Sequence, residues 1–134
     1  MASLDPKVRA FLEEKRFAVL ATTNRDGTPQ QTVMWYELRD DSIIMNTATA
    51  SKKIRNLRRN PWASVCIYEV STTRHVTIEG PVELDDAHVL EDLTALASRY
   101  AGAEAGPGIA ANIAKIPHIT IRLKIEKVRT FGKI

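Results

Sequence analysis

A single cysteine, Cys66, stands in the 134-residue chain. No disulfide can close within the chain, which fits a reducing compartment, and the cytoplasm is the location expected. Cys66 lies in the apolar run ASVCIY and reads as a small buried hydrophobe rather than a nucleophile. No run of about 18 apolar residues occurs, so no membrane span is expected, and MASLDPKVRAF has none of the apolar core of a secretory leader. The three histidines, His75, His88 and His118, stand too far apart for metal-ligand spacing, and no metal is expected. GxGxxG, GxxxxGK[ST], HExxH, CxxC and the nucleophile-elbow motif are all missing, which removes their chemistries. A net charge of +3 allows an anionic ligand without calling for nucleic acid. The strands also lack the solvent-facing aromatic pairs of a base-stacking platform. With few acid, base or nucleophile candidates, the chain either binds something or leaves the chemistry to a cofactor.

What is present reads as one domain spanning 1–134, without repeats or linkers. Asp5 as N-cap and Pro6 at the first helical position open a helix, with Val8, Phe11 and Leu12 at helical spacing. FAVLATTN is a strand, Asp26-Gly27 a tight turn, QQTVMWYEL a second strand and SIIMNTA a third. WASVCIYEV, TRHVTIEGPVEL and HITIRLKIEKVRTFG complete six, with a bulge or bend expected at Lys127-Val128. DDAHVLEDLTALASRYAG is a helix with Leu90, Leu93, Ala97 and Tyr100 on its packing face and Asp85 and Asp86 at its start. AGAEAGPGIAA, residues 101–111, reads as a surface loop. Six strands joined mostly by hairpin turns, with three short helices, predict a mainly β protein built on a small antiparallel barrel.

TATASKKIRNLRRNP, residues 47–61, reads as a short helix with five Lys or Arg among Ser51–Asn60. Lys52 and Lys53 fall in the first turn, where the helix dipole disfavours cations. Free N–H groups, the Ser51 hydroxyl and two ammoniums together describe a phosphate site, to which Asn46 and Thr47 add donors. The alternative is a solvated basic helix with Ile54 and Leu57 packed inward. Trp35 is open in the same way, either flanking a flat ligand or filling the core.

VLATTNRDGTPQQTVMWYELRDDSIIMNTATASKKIRNLRRNPWASVCI, followed by RHVTIEGPVEL, resembles the pyridoxamine 5′-phosphate oxidase-like split β-barrel flavoproteins, and among them the deazaflavin branch that uses coenzyme F420. The resemblance implies a six-stranded split barrel, a homodimer, and two cofactor sites between subunits with the phosphate at the basic helix. Ser51, Lys52 and Lys53 match the phosphate clamp. Asn46 and Thr47 match the strand end beside the phosphate and ribityl chain. Gln31, Thr32, Val33, Met34 and Trp35 match the strand flanking the ring, and Arg74 and His75 match a segment that reaches the site from the partner subunit. Several relatives carry Arg where Ser51 stands, so this clamp has one cation fewer; Arg55, Lys127 or Arg129 are the candidates to compensate.

The activity implied is an oxidoreductase in which reduced deazaflavin gives a hydride to a conjugated acceptor such as biliverdin or a quinone. FMN on the same fold is the alternative cofactor, serving an oxidase or reductase. A carrier that binds a flavin, deazaflavin or tetrapyrrole without turnover is the non-enzymatic alternative. Arg55, Arg58 and Arg59 favour the deazaflavin, whose polyglutamate tail suits surface cations. No catalytic side chain is assigned, His75 and Tyr68 being weak proton-donor candidates. Lys53 is expected to be exposed without cofactor, so that Lys53→Ala leaves the fold intact.

Overall fold

The computed structural model describes residues 4–134. Met1–Ser3, the first residues of the segment read for a leader, lie outside them. The elements run α1 (Pro6–Glu13), β1 (Ala18–Thr23), β2 (Pro29–Met34), β3 (Glu37–Arg39), β4 (Ser42–Ala48), α2 (Lys52–Arg59), β5 (Trp62–Tyr68), β6 (His75–Asp85), α3 (Val89–Ala101), α4 (Gly106–Ile113), β7 (His118–Lys124) and β8 (Lys127–Phe131). The strands lie in the order β2-β1-β5-β6-β7-β4-β3, with β8 added on β6, and the paired strands run antiparallel. The sheet curls into a split barrel, as the strand pattern and the resemblance both imply.

Local chemistry explains the elements. The Asp5 carboxylate accepts from the Lys7 N–H at 2.8 Å and Pro6 opens α1 behind it. Asp26 Oδ1 accepts from the Thr28 N–H at 3.0 Å and its hydroxyl at 2.6 Å, fixing the β1–β2 turn. Inward residues such as Leu20, Met45, Val65, Ile78 and Ile121 fill the barrel, while Phe11 and Leu12 of α1 and Ile54 and Leu57 of α2 pack against it.

Four features depart from the sequence expectations. QQTVMWYEL is two strands rather than one, because Trp35 and Tyr36 break the ladder between β2 and β3. Tyr36 turns fully inward and its hydroxyl donates to the carbonyls of Leu12 and Glu14. The last strand divides into β7 and β8, so the sheet has eight strands. The bend falls at Ile125-Glu126, where the chain leaves β4 and passes from the later half of β6 to its earlier half. Residues 106–113 of the expected loop region form α4, because packing on α3 replaces the propensity that its glycines and alanines lack: Ala110 is fully buried there. Asp85 ends β6 instead of opening the helix, and α3 starts at Val89 after His88. Leu93, Leu96 and Ala97 are buried on its packing face while Leu90 is exposed.

Gly80 lies where β6 passes from its β8 partner to its β7 partner. A Cβ at this position would stand 1.7 Å from the Lys124 carbonyl oxygen, so only glycine permits the crossing.

Candidate functional site

A cleft of about 490 Å³ opens along the split. β3 covers β4 only as far as Ile44, and beyond it Met45–Ala48 have no strand on that side among the described residues. β2 is the opposite edge of the sheet. Thr32, Val33, Met34 and Trp35 line the cleft from β2, and Asn46, Thr47 and Ala48 line it from β4. Lys53 enters from the first turn of α2, and Leu93, Leu96, Ile113 and His118 close the remaining wall.

Where α2 meets the cleft, the surroundings suit an anion. Ser51 caps α2 by its backbone, its carbonyl accepting from the Ile54 and Arg55 N–H groups at 3.2 and 3.3 Å. Its hydroxyl does not cap, and Ser51 Oγ is buried with no partner among the described residues. The first-turn amides precede the helix's own hydrogen-bond ladder and carry the positive end of its dipole. Burial holds the Lys53 ammonium below the ordinary lysine range. Lys53 is half-buried, not exposed as expected, because the first turn of α2 is tucked against the sheet. The buried Asn56 pins the helix there, its amide donating to Thr22 Oγ1 and Asn24 Oδ1 at 3.0 Å each. An orphaned buried hydroxyl, a desolvated ammonium and a free helix N-terminus fit a phosphate group.

Much of the lining is apolar, with Val33, Met34, Trp35, Leu93, Leu96 and Ile113 in the wall. Trp35 stacks on Tyr100 at 5.0 Å with an interplanar angle of 7°, and Tyr100 stacks in turn on Phe17 at 5.6 Å. Trp35 packs, partly buried, on the α3–α4 pair and also lines the cleft.

Polar order runs beneath the β4 wall. Asn46 Nδ2 donates to Thr120 Oγ1 at 3.1 Å, and Thr120 Oγ1 donates to Asp92 Oδ2 at 2.7 Å. Arg39 Nη1 donates to Asp92 Oδ1 at 2.8 Å, while Arg122 lies 3.5 Å from Asp92 and bonds Asp85 at 2.9 Å.

Seven of the twelve expected residues thus line one cleft, and Ser51 caps the helix that enters it. Lys52 is exposed at the first turn, and Gln31 faces solvent on β2. Arg74 and His75 are not among the residues that line the cleft. Arg74 binds Glu69 and the Lys133 carbonyl, and His75 stacks on Phe131 at 5.1 Å. Of the surface arginines, Arg55 and Arg59 are tied to the carbonyls of Ala50 and Thr23, and Arg58 is exposed. Tyr68 lies outside the cleft wall, beside Arg16, Phe17 and Glu69.

Sequence reasoning missed His118 and Ile113. His118 Nδ1 lies 2.7 Å from the Ile116 carbonyl, an acceptor only, so Nδ1 carries a proton. The strand pattern begins at His118 without marking it. Ile113 ends a helix whose composition reads as loop.

Residues 4–132 match the family described as pyridoxamine 5′-phosphate oxidase. A dihydrophenazinedicarboxylate synthase of Pseudomonas chlororaphis is 33% identical over 59% of this chain and 36% of its own length. A pyridoxine/pyridoxamine 5′-phosphate oxidase of Rhodococcus jostii (strain RHA1) is 33% identical over 66% of this chain and 40% of its own length. The matched stretch is therefore well under half of either curated relative. Among solved structures, the conserved hypothetical protein Rv2991 of Mycobacterium tuberculosis superposes with a TM-score of 0.81 at 27% identity, covering 98% of this chain and 86% of that one. A protein titled F420 reductase superposes with a TM-score of 0.77 at 24% identity, covering 90% and 94%.

Proposed function

The chain belongs to the pyridoxamine 5′-phosphate oxidase family, and from that membership we propose that it is an oxidoreductase that binds coenzyme F420 in the cleft and reduces a conjugated acceptor such as biliverdin or a quinone. The observation that carries this reading is the polarity of the cleft. A desolvated ammonium at a helix N-terminus and an aromatic and aliphatic wall line the same cleft. That is the outline of a phosphate joined to a flat ring system. The F420 reductase among the fold neighbours supports the choice of cofactor, as does the exposed Arg58.

When bound, the ring system supplies the hydride chemistry. The protein's residues do the rest. Lys53, the α2 amides and the Ser51 hydroxyl hold the phosphate. Trp35, Val33 and Met34 fix the plane of the ring and keep water from one face. His118 lines the same wall, with its Nδ1–H held by the Ile116 carbonyl. Val33 lines the cleft yet is 61% exposed, so one copy of the chain leaves the site unfinished. In this reading the protein is a homodimer, and Arg74 and His75 reach the site from the second copy.

FMN is the second reading, favoured by the curated relatives described as pyridoxine/pyridoxamine 5′-phosphate oxidases. Parallel fluorescence titrations with F420 and FMN test the choice. Tight F420 binding with weak FMN binding is the expected result. The reverse moves the protein to flavin chemistry. Binding to neither overturns the proposal, and binding without turnover of any acceptor makes the protein a carrier.

A further inference from the structure

Asp92 is a carboxylate only 2% exposed, held by α3 against the sheet. Nothing assigned to the cleft so far uses it. Its reach into the cleft runs through Thr120, which is fully buried, and Asn46, which faces Thr120 across the β4–β7 pair.

Donor counting fixes the arrangement. A carboxylate only accepts, and a threonine hydroxyl has one proton to give. That proton lies toward Asp92 Oδ2, 2.7 Å away. Thr120 Oγ1 can therefore only accept from Asn46, whose Nδ2 is 3.1 Å away. A flipped Asn46 amide would set its carbonyl oxygen against an oxygen with no proton left, both of them buried. So the NH2 end of Asn46 is committed to Thr120, and Oδ1 is the end left over. Oδ1 is buried and has no partner among the described residues, on a side chain that lines the cleft. Arg39 and Arg122 pair with the carboxylate and hold the start of the chain in place.

We propose that Asp92 and Thr120 are positioning residues that fix Asn46 as a hydrogen-bond acceptor, and that the molecule taken into the cleft presents an N–H or O–H donor to Asn46 Oδ1. This rests on the reading of the cleft as the ligand site. It adds a selection rule to that reading, because a group offering only acceptors at this point is rejected.

Two variants of one residue test it. Thr120→Val keeps the shape and removes the hydroxyl; Thr120→Ser keeps the hydroxyl. The side-chain NH2 resonances of Asn46 are identified by their loss in Asn46→Ala and followed in the ligand-free protein. They should move in Thr120→Val and stay at wild-type positions in Thr120→Ser. Titration with F420 and FMN should show affinity for whichever the wild type binds reduced about tenfold in Thr120→Val, the effect of losing one oriented hydrogen bond, and restored in Thr120→Ser. Should the valine variant fail to fold, Thr120→Ala removes the same hydroxyl with less strain. Asn46 resonances that are the same in the valine and serine variants overturn the relay. Shifted resonances with unchanged affinity overturn the donor requirement. A wild type that binds neither molecule overturns the ligand's part and the cofactor reading together, while the ligand-free spectra still decide whether the relay exists.

Discussion

Lys53 carries a cost in the free protein that an anion removes. Its ammonium is partly withdrawn from water, and burial lowers its pKa accordingly. Only the charged form attracts a phosphate, so affinity for an anionic ligand is full below that pKa and is lost as pH rises through it. The loss should come at lower pH than for a solvent-exposed lysine, which titration of binding across the alkaline range will read. Lys53→Met removes the desolvated charge and keeps the stem, so thermal stability of the ligand-free protein should hold or rise. Binding should fall about tenfold to a hundredfold, the range for a charge-assisted hydrogen bond. A lysine kept only for stability would show a falling melting temperature and unchanged binding.

At the scale of the element, the two glycines of α4 have opposite environments. A Cβ on Gly106 would lie 2.6 Å from the Ser98 Cα and 2.7 Å from its backbone nitrogen, whereas one on Gly108 meets nothing within 4 Å. Gly106→Ala should therefore cost about 1–3 kcal/mol by forcing α4 off α3. Gly108→Ala should gain up to about 1 kcal/mol from helix propensity alone. Denaturant unfolding of both variants checks the sign. This contrast also shows why α4 was illegible in the sequence. AGAEAGPGIAA carries no apolar period, and close approach to another helix is not a local property. α2 was legible because Ser51, the inward Ile54 and Leu57 and the stop at Asn60-Pro61 are local signals. The barrel strands were legible by alternation, but the break at Trp35-Tyr36 was not, since Tyr36 turns inward to reach carbonyls of α1. The cleft was legible only where its residues follow one another in sequence. His118, Asp92 and Thr120 come from distant segments, and only the pairing of β4 with β7 and the packing of α3 bring them to β4.

Across the whole molecule, Glu69 ties distant parts together. Its carboxylate receives Arg16 Nη2 at 3.0 Å and Arg74 Nε at 2.9 Å, and Arg74 continues to the Lys133 carbonyl at 3.0 Å. The end of α1, the β5–β6 turn and the C-terminal residues meet there. Hydrogen bonds from Arg74, Thr72 and Arg16 lower the Glu69 pKa from 4.5 to about 2. A carboxylate depressed by folding stabilises above its unfolded pKa, and that contribution drains away as pH falls from 4.5 toward 2. Glu69→Gln should melt below the wild type at neutral pH, and the difference should close over that acid window in thermal scans.

The middle of the sheet and its two lips are held differently. β6 is flanked along its length, by β5 and β8 first and by β7 after Gly80, while β2 and the end of β4 line the cleft from opposite sides with no strand paired between them among the described residues. The molecule is in effect a clip, firm along its spine and compliant at its jaws. A ligand gripping both lips would brace the weakest line of the structure, so the occupied protein should resist opening along a seam that the empty one leaves unlatched.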